Sequence, residues 1–178
     1  MKDALFKVCI FGQGGVGKTC LVNRYLTGLF KEGSTMTIGV DFLLKKLEID
    51  DIIVELQIWD FAGEERFRFL LPRYARGAAG GIFMFDLTRM ASLKNVQEWL
   101  NIFKDNAEAT DQEDIPMIMV GGKLDLKDKR SVDREYALNI VDQFKFKDYF
   151  ECSAKTGDNV EIIFERIARI LTKDLNEI

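Results

Sequence analysis

The 178-residue sequence contains no histidine. An imidazole general base and a histidine-ligated zinc site are therefore excluded, and several enzyme classes go with them. Cysteine is scarce. Cys9, Cys20 and Cys152 are odd in number and too scattered for a metal cluster, so they read as free thiols in a reducing compartment, packed as small hydrophobes. No run approaches the roughly 18 apolar residues of a membrane span. The opening "MKDALFKVCIFG" has too short an apolar stretch for a signal peptide and no small-residue cleavage site after it. A basic excess is also missing. The net charge of -4 and pI near 5.1 argue against a nucleic-acid footprint and a polybasic membrane patch. The expectation is a cytoplasmic protein without a nucleic-acid partner. With 47% hydrophobic and 30% charged residues and no repeat, linker or low-complexity segment, residues 1–178 read as one domain.

What is present alternates. "ALFKVCIF" at 4–11 reads as a strand, and "KTCLVNRYLTG" as a helix ending at Gly28. Val40–Ile49 and Ile52–Trp59 read as a hairpin hinged at Asp50 and Asp51, with Val54, Leu56 and Ile58 alternating against Glu55 and Gln57. The apolar runs "GGIFMFDL", "IPMIMVGG" and "DYFECSA" then enclose helical segments, "SLKNVQEWLNIF" with Ser92 as its cap and "DREYALNIVDQF". Val160, Ile163, Phe164, Ile167 and Leu171 form one helical stripe for docking on the sheet. This order predicts an α/β fold: a mostly parallel sheet with one antiparallel hairpin partner strand and helices on both faces. Ligands in such folds sit at the strands' C-terminal ends.

Four of the six residues from Gly12 to Gly17 are glycine, placed where the first strand turns into the first helix. Glycine loses the most backbone entropy on folding, so this clustering implies that something comes very close to the main chain. Gly12–Thr19 satisfies GxxxxGK[ST], the P-loop pattern, in its required context. The N–H groups around Gly14, Gly15, Val16, Gly17 and Cys20, with the helix N-terminus, suit polyphosphate. Lys18 suits the outer phosphates, and the Thr19 hydroxyl suits Mg²⁺. Such loops serve ATPases, nucleotide kinases and GTPases alike. Asp60 followed by Gly63 fits an acidic residue near the metal and an N–H within reach of a γ-phosphate, although DxxG alone is a weak signal.

"GQGGVGKT" at 12–19, "TIGVDF" at 37–42, "WDFAGEERFR" at 59–68, "GGKLDL" at 121–126 and "ECSAKTGDNVEIIF" at 151–164 occur in order. On these motifs the chain resembles a small GTPase of the Ras superfamily, closest to the Rab branch, over roughly residues 5–171. The resemblance implies a P-loop GTPase domain that binds GTP or GDP with Mg²⁺ and works as a switch. Thr37 would then ligate Mg²⁺ and sense the γ-phosphate, Asp60 would hold the metal through water, and Gly63 would bond the γ-phosphate. Phe30 would stack on the guanine and Lys123 would lie along it. Ser153, Ala154 and Lys155 would form the loop that meets its O6. Asp125 is the base selector on its own chemistry: a carboxylate accepts from guanine N1–H and the exocyclic amine, whereas the lone pair on adenine N1 repels it. Catalysis would come from Lys18, Thr37, Gly63 and the residue after Gly63. Effectors, exchange factors and activating proteins would read loops near 30–42 and 60–76.

Two positions depart from the family pattern. Glu64 stands where glutamine usually orients the attacking water, which predicts slow hydrolysis unless Glu64 turns to solvent; a GTP-bound scaffold is the alternative. Gly122 stands where asparagine usually ties the base to the P-loop, which predicts faster exchange. Phe61 either packs or serves a partner surface. The last cysteine is Cys152, so lipid-mediated membrane association would need a tail beyond Ile178.

Overall fold

The computed structural model describes residues 2–33, 36–107 and 115–176. The first strand, β1 (Lys2–Phe11), sends alternate side chains to opposite faces: Val8 and Ile10 join one apolar cluster and Cys9 and Phe11 another. Both clusters are fully covered, so the run is apolar without alternation, as a strand buried on two faces requires.

After β1 come α1 (Lys18–Thr27), β2 (Val40–Ile49), β3 (Ile52–Phe61), α2 (Leu70–Ala75), β4 (Gly80–Asp86), α3 (Val96–Asn106), β5 (Met117–Gly122), α4 (Arg134–Phe144), β6 (Asp148–Glu151) and α5 (Val160–Asn176). Among the described residues these strands form one sheet in the order β2-β3-β1-β4-β5-β6. Only the β2–β3 pair is antiparallel. Its two-residue hinge closes at Ile49↔Ile52, with Asp50 in the left-handed region at φ 54°. The hairpin therefore begins where the alternation places it, and β3 continues two residues past Trp59, carrying Asp60 and Phe61 inside the strand.

Helices α1 and α5 cover the Val8/Ile10 face. The stripe of Val160, Ile163, Phe164, Ile167 and Leu171 is buried there, and Phe164 stacks on Tyr25 at 4.0 Å. Helices α2, α3 and α4 cover the other face around Phe11, Phe83, Trp99 and Phe103. Gly28 closes α1 at φ 72°, donating its N–H to the Arg24 carbonyl. Asp133 caps α4 by accepting the Tyr136 N–H at 2.8 Å.

Ser92 does not cap α3. A 3-10 turn at Met90–Leu93 intervenes, and α3 starts at Val96 behind Asn95. The buried Ser92 hydroxyl accepts the Asp86 N–H at 2.9 Å and donates to the Arg89 carbonyl at 2.7 Å. Two nearby backbone groups needed partners, and the hydroxyl closes the turn after β4 instead. Phe61 packs: it is 2% exposed and meets Tyr74 edge-on. None of the three cysteines is in a disulfide. Burial pushes both Cys9 and Cys152 up to about 12, so neither is a thiolate near neutrality. Among the described residues no helix is long and apolar enough to cross a membrane.

Candidate functional site

The chain leaves β1 between β3 on one side and β4 on the other, so the loop after β1 rises where the direction of winding reverses. That loop is Gly12–Gly17. At Gly12, φ is 145° and a Cβ would overlap the Met84 carbonyl; at Gly63, a Cβ would overlap the backbone of Gln13 and Gly14. The two segments touch main chain to main chain, which only glycine permits. They wall a cavity of about 270 Å³ lined by Gly14, Gly15, Gly17, Lys18, Thr19, Cys20, Thr37, Gly63 and Glu64, among others.

Lys18 opens α1 beneath this cavity. It is 6% exposed, and its ammonium donates to the Gly12 and Gln13 carbonyls at 2.8 and 2.9 Å. Burial pushes it down to about 8, although the Asp60 carboxylate pulls upward. Beside it the Thr19 hydroxyl donates to Asp60 Oδ2 at 2.6 Å and hydrogen-bonds the Thr37 hydroxyl. Asp60 is buried, and burial lifts its carboxyl to about 6 against the Thr19 bond and the Lys18 charge. Its Oδ1 is buried without a hydrogen-bond partner. Two hydroxyls and a carboxylate with an open lone pair are hard oxygen donors that suit Mg²⁺. Among the described residues no group of three cysteine, aspartate or glutamate side chains offers a competing metal site.

A second cavity of about 260 Å³ adjoins the first through Gly17, Cys20 and Lys123. Val16, Phe30, Met84, Asp125, Ala154 and Lys155 line it. Because β5 and β6 run parallel with Gly121 opposite Glu151, the loops that follow them emerge together, tied by the Leu124 N–H on the Cys152 carbonyl at 2.9 Å. Ser153 is fully buried outside the cavity lining, and its hydroxyl donates to Asp125 Oδ1 at 2.7 Å. It therefore orients Asp125 while Ala154 and Lys155 form the wall.

Three residues that pattern matching overlooked complete the site. Asp86, buried at the end of β4, pairs with Lys123 at 2.8 Å. Burial would raise its carboxyl, but Lys123 and Thr88 together hold it below the usual range. A lone carboxylate closing an otherwise apolar run was the available signal. Met84, two residues earlier, fills the space facing Gly122: a Cβ there would lie 2.5 Å from the Met84 methyl and 3.1 Å from the Val16 carbonyl. Arg66 pairs with Glu64 at 2.5 Å, so the Glu64 carboxylate, which lines the first cavity, meets a cation two residues along.

The Ras family model matches residues 7–173. The Ras-related protein Rab-13 of Rattus norvegicus is 39% identical over 167 residues, covering 94% of this chain and 80% of its own length. The GTP-binding protein yptV2 of Volvox carteri is 42% identical over 168 residues, with 94% and 75% covered. The Ras-related protein Rab-8B of Homo sapiens is 37% identical over 174 residues, with 98% and 82% covered. The chain belongs to the Ras family: it is a small GTPase of the Rab branch, a switch protein that binds GTP and GDP with Mg²⁺ and hydrolyses GTP.

Proposed function

We propose that residues 1–178 work as one switch unit whose hydrolysis is slow. The N–H groups of Gly14–Thr19 and the Lys18 ammonium hold the phosphates, and Asp125, oriented by Ser153, selects guanine between Phe30, Lys123 and Ala154–Lys155. Thr19 and Thr37 hold Mg²⁺, with Asp60 acting through water. Thr37 and Gly63 sense the γ-phosphate. When bound, the metal draws charge from the terminal phosphate oxygens. No side chain serves as a strong base; Lys18 and the loop N–H groups stabilise charge as it develops on the transferring phosphoryl group. The observation that carries this reading is the junction of the two cavities, where the phosphate cradle with its oxygen cluster opens onto Asp125.

Slow turnover follows from Glu64. A carboxylate cannot donate toward the triphosphate or to the charge that develops there, and one such hydrogen bond missing from the transition state is about 0.5–1.5 kcal/mol, or roughly two- to tenfold in rate; its repulsion of the γ-phosphate, about 1 kcal/mol at 4 Å in water, acts on bound GTP as well. The Arg66 pair moderates this repulsion without supplying an amide. Single-turnover hydrolysis is expected to rise roughly two- to tenfold in Glu64→Gln, which restores the donor. A rate that stays level or falls defeats the reading. A native protein that retains GTP after purification favours the alternative, a hydrolysis-deficient scaffold controlled by exchange.

Exchange is the second quantity in which this chain departs from its relatives. Gly122 leaves the base loop without a side-chain tie to the P-loop. In Gly122→Asn alone, the new Cβ meets the Met84 methyl, so the GDP off-rate is expected not to fall. Pairing Gly122→Asn with Met84→Val clears the space, and one restored hydrogen bond of about 0.5–1.5 kcal/mol then slows release by a few-fold to tenfold. Off-rates of fluorescent GDP check this. An unaltered double variant removes the proposed cause.

Rab proteins work through effectors, exchange factors and activating proteins. We place those contacts on the loops near 30–42 and 60–76, where Met36, Ile38 and Phe69 are exposed; residues 34 and 35 lie outside the described residues. A cytoplasmic protein, peripheral at membranes if a lipidated tail follows Ile178, fits this reading.

A further inference from the structure

We propose that Arg89 strengthens the phosphate cradle from behind, through the peptide that joins Gly14 to Gly15, and is thereby a positioning residue for GTP hydrolysis. The proposal rests on the phosphate site described above and adds a residue to it that the P-loop pattern does not contain.

The Arg89 guanidinium donates from Nη2 to the Gly14 carbonyl at 2.8 Å. Among the described residues no peptide bond is cis, so this planar unit directs its C=O and N–H to opposite sides. With the carbonyl turned to Arg89, the Gly15 N–H faces away from the guanidinium, and Gly14 and Gly15 both line the first cavity. A cation on the carbonyl oxygen draws electron density through the conjugated amide from its nitrogen. The N–H becomes a stronger donor to an anion on the far side. Removing Arg89 leaves the donor in place and weakens it.

The arginine is aimed, since its own backbone is held on both sides. Its N–H donates to the Asp86 carbonyl at 3.0 Å, and its carbonyl accepts the Ser92 N–H at 3.0 Å and the Ser92 hydroxyl at 2.7 Å. Along the side chain, Nε lies 3.5 Å from Asp86 Oδ2, the same oxygen that holds Lys123. The buried carboxylate thus links the cation behind the phosphate loop to the lysine shared by both cavities. The Arg89 side chain is 43% exposed, and solvent screening keeps the effect below that of deleting a donor outright.

Arg89→Gln and Arg89→Lys, each loaded with GTP and Mg²⁺, test the inference. Single-turnover hydrolysis is expected to slow roughly tenfold in Arg89→Gln and by clearly less in Arg89→Lys, which keeps the charge. The Gly15 amide proton of the GDP-bound protein is expected to move upfield in Arg89→Gln and partway back in Arg89→Lys. An Arg89→Gln rate within twofold of native overturns the proposal. So do equal losses in both variants, which mark a packing role, and so does an unmoved Gly15 resonance. If the native protein fails to prefer GTP over ATP, the site itself is misread; a native preference combined with an unaltered Arg89→Gln rate sinks only the role of Arg89.

Discussion

Asp125→Ala is expected to weaken GTP binding by two to three orders of magnitude while the weak binding of ATP, relieved of the repulsion from adenine N1, rises. The Asp125 carboxylate accepts the Ser153 hydroxyl on Oδ1 and lines the base cavity, with lone pairs on both oxygens left for the base. Guanine brings two N–H donors to that side, and alanine accepts from neither, so both donors are buried without partners. Two charge-assisted bonds lost together amount to about 3–4 kcal/mol. In this variant the Ser153 hydroxyl loses the acceptor for its proton but its oxygen still accepts the Thr156 N–H at 3.1 Å, so a stability loss of about 1–3 kcal/mol is expected beside the loss of affinity. Equilibrium titration with GTP and ATP, after thermal unfolding has shown the variant intact, reads the result. A variant that binds GTP within tenfold of native would remove Asp125 from base selection.

Lys18→Ala should be equally damaging and blind to the base. The ammonium lies beneath the cradle, donating to two carbonyls that a bound phosphate would complement, and alanine leaves the phosphates without their buried counter-charge. Affinity for GTP and GDP is expected to fall roughly a thousandfold or more, comparable to truncating one partner of a buried charge pair. A pH dependence accompanies this in the native protein. Burial holds Lys18 at about 8 in the free site, and a phosphate partner raises it. Binding therefore takes up protons, is strongest below pH 8 and weakens as pH rises through that value. Between pH 7 and 9 the loss is about tenfold. Competition binding across this range measures it; a flat profile would mean that Lys18 stays charged in the free protein or does not meet the phosphates.

Much of this site could be read before the structure because it is local in sequence. Strand, glycine loop and helix follow one another from Lys2 to Thr27, and the β2–β3 hinge is legible because Val54, Leu56 and Ile58 alternate with Glu55 and Gln57 after Asp50 and Asp51. What escaped depends on contacts between distant segments. Ser92 has the chemistry of a cap, but the turn after β4 offered it nearer partners in Asp86 and Arg89. Met84 and Gly122 are complementary only because β4 and β5 are neighbours in parallel, so neither residue alone signals the pairing. Glu64 carries a charge whose effect depends on Arg66, and Lys123 depends on Asp86; ion pairs of this kind have no periodicity to betray them. Gly63 was readable as a phosphate contact, while its close packing against the P-loop backbone was not.

In the proposed function, one anion cradle and one acidic purine selector act on the same ligand. Calorimetry on nucleotide-stripped protein with Mg²⁺ present, titrating GTP and then ATP, tests it most directly. GTP is expected to bind at least roughly a hundredfold tighter than ATP, from the two bonds to Asp125. Equal affinity for the two nucleotides would contradict it.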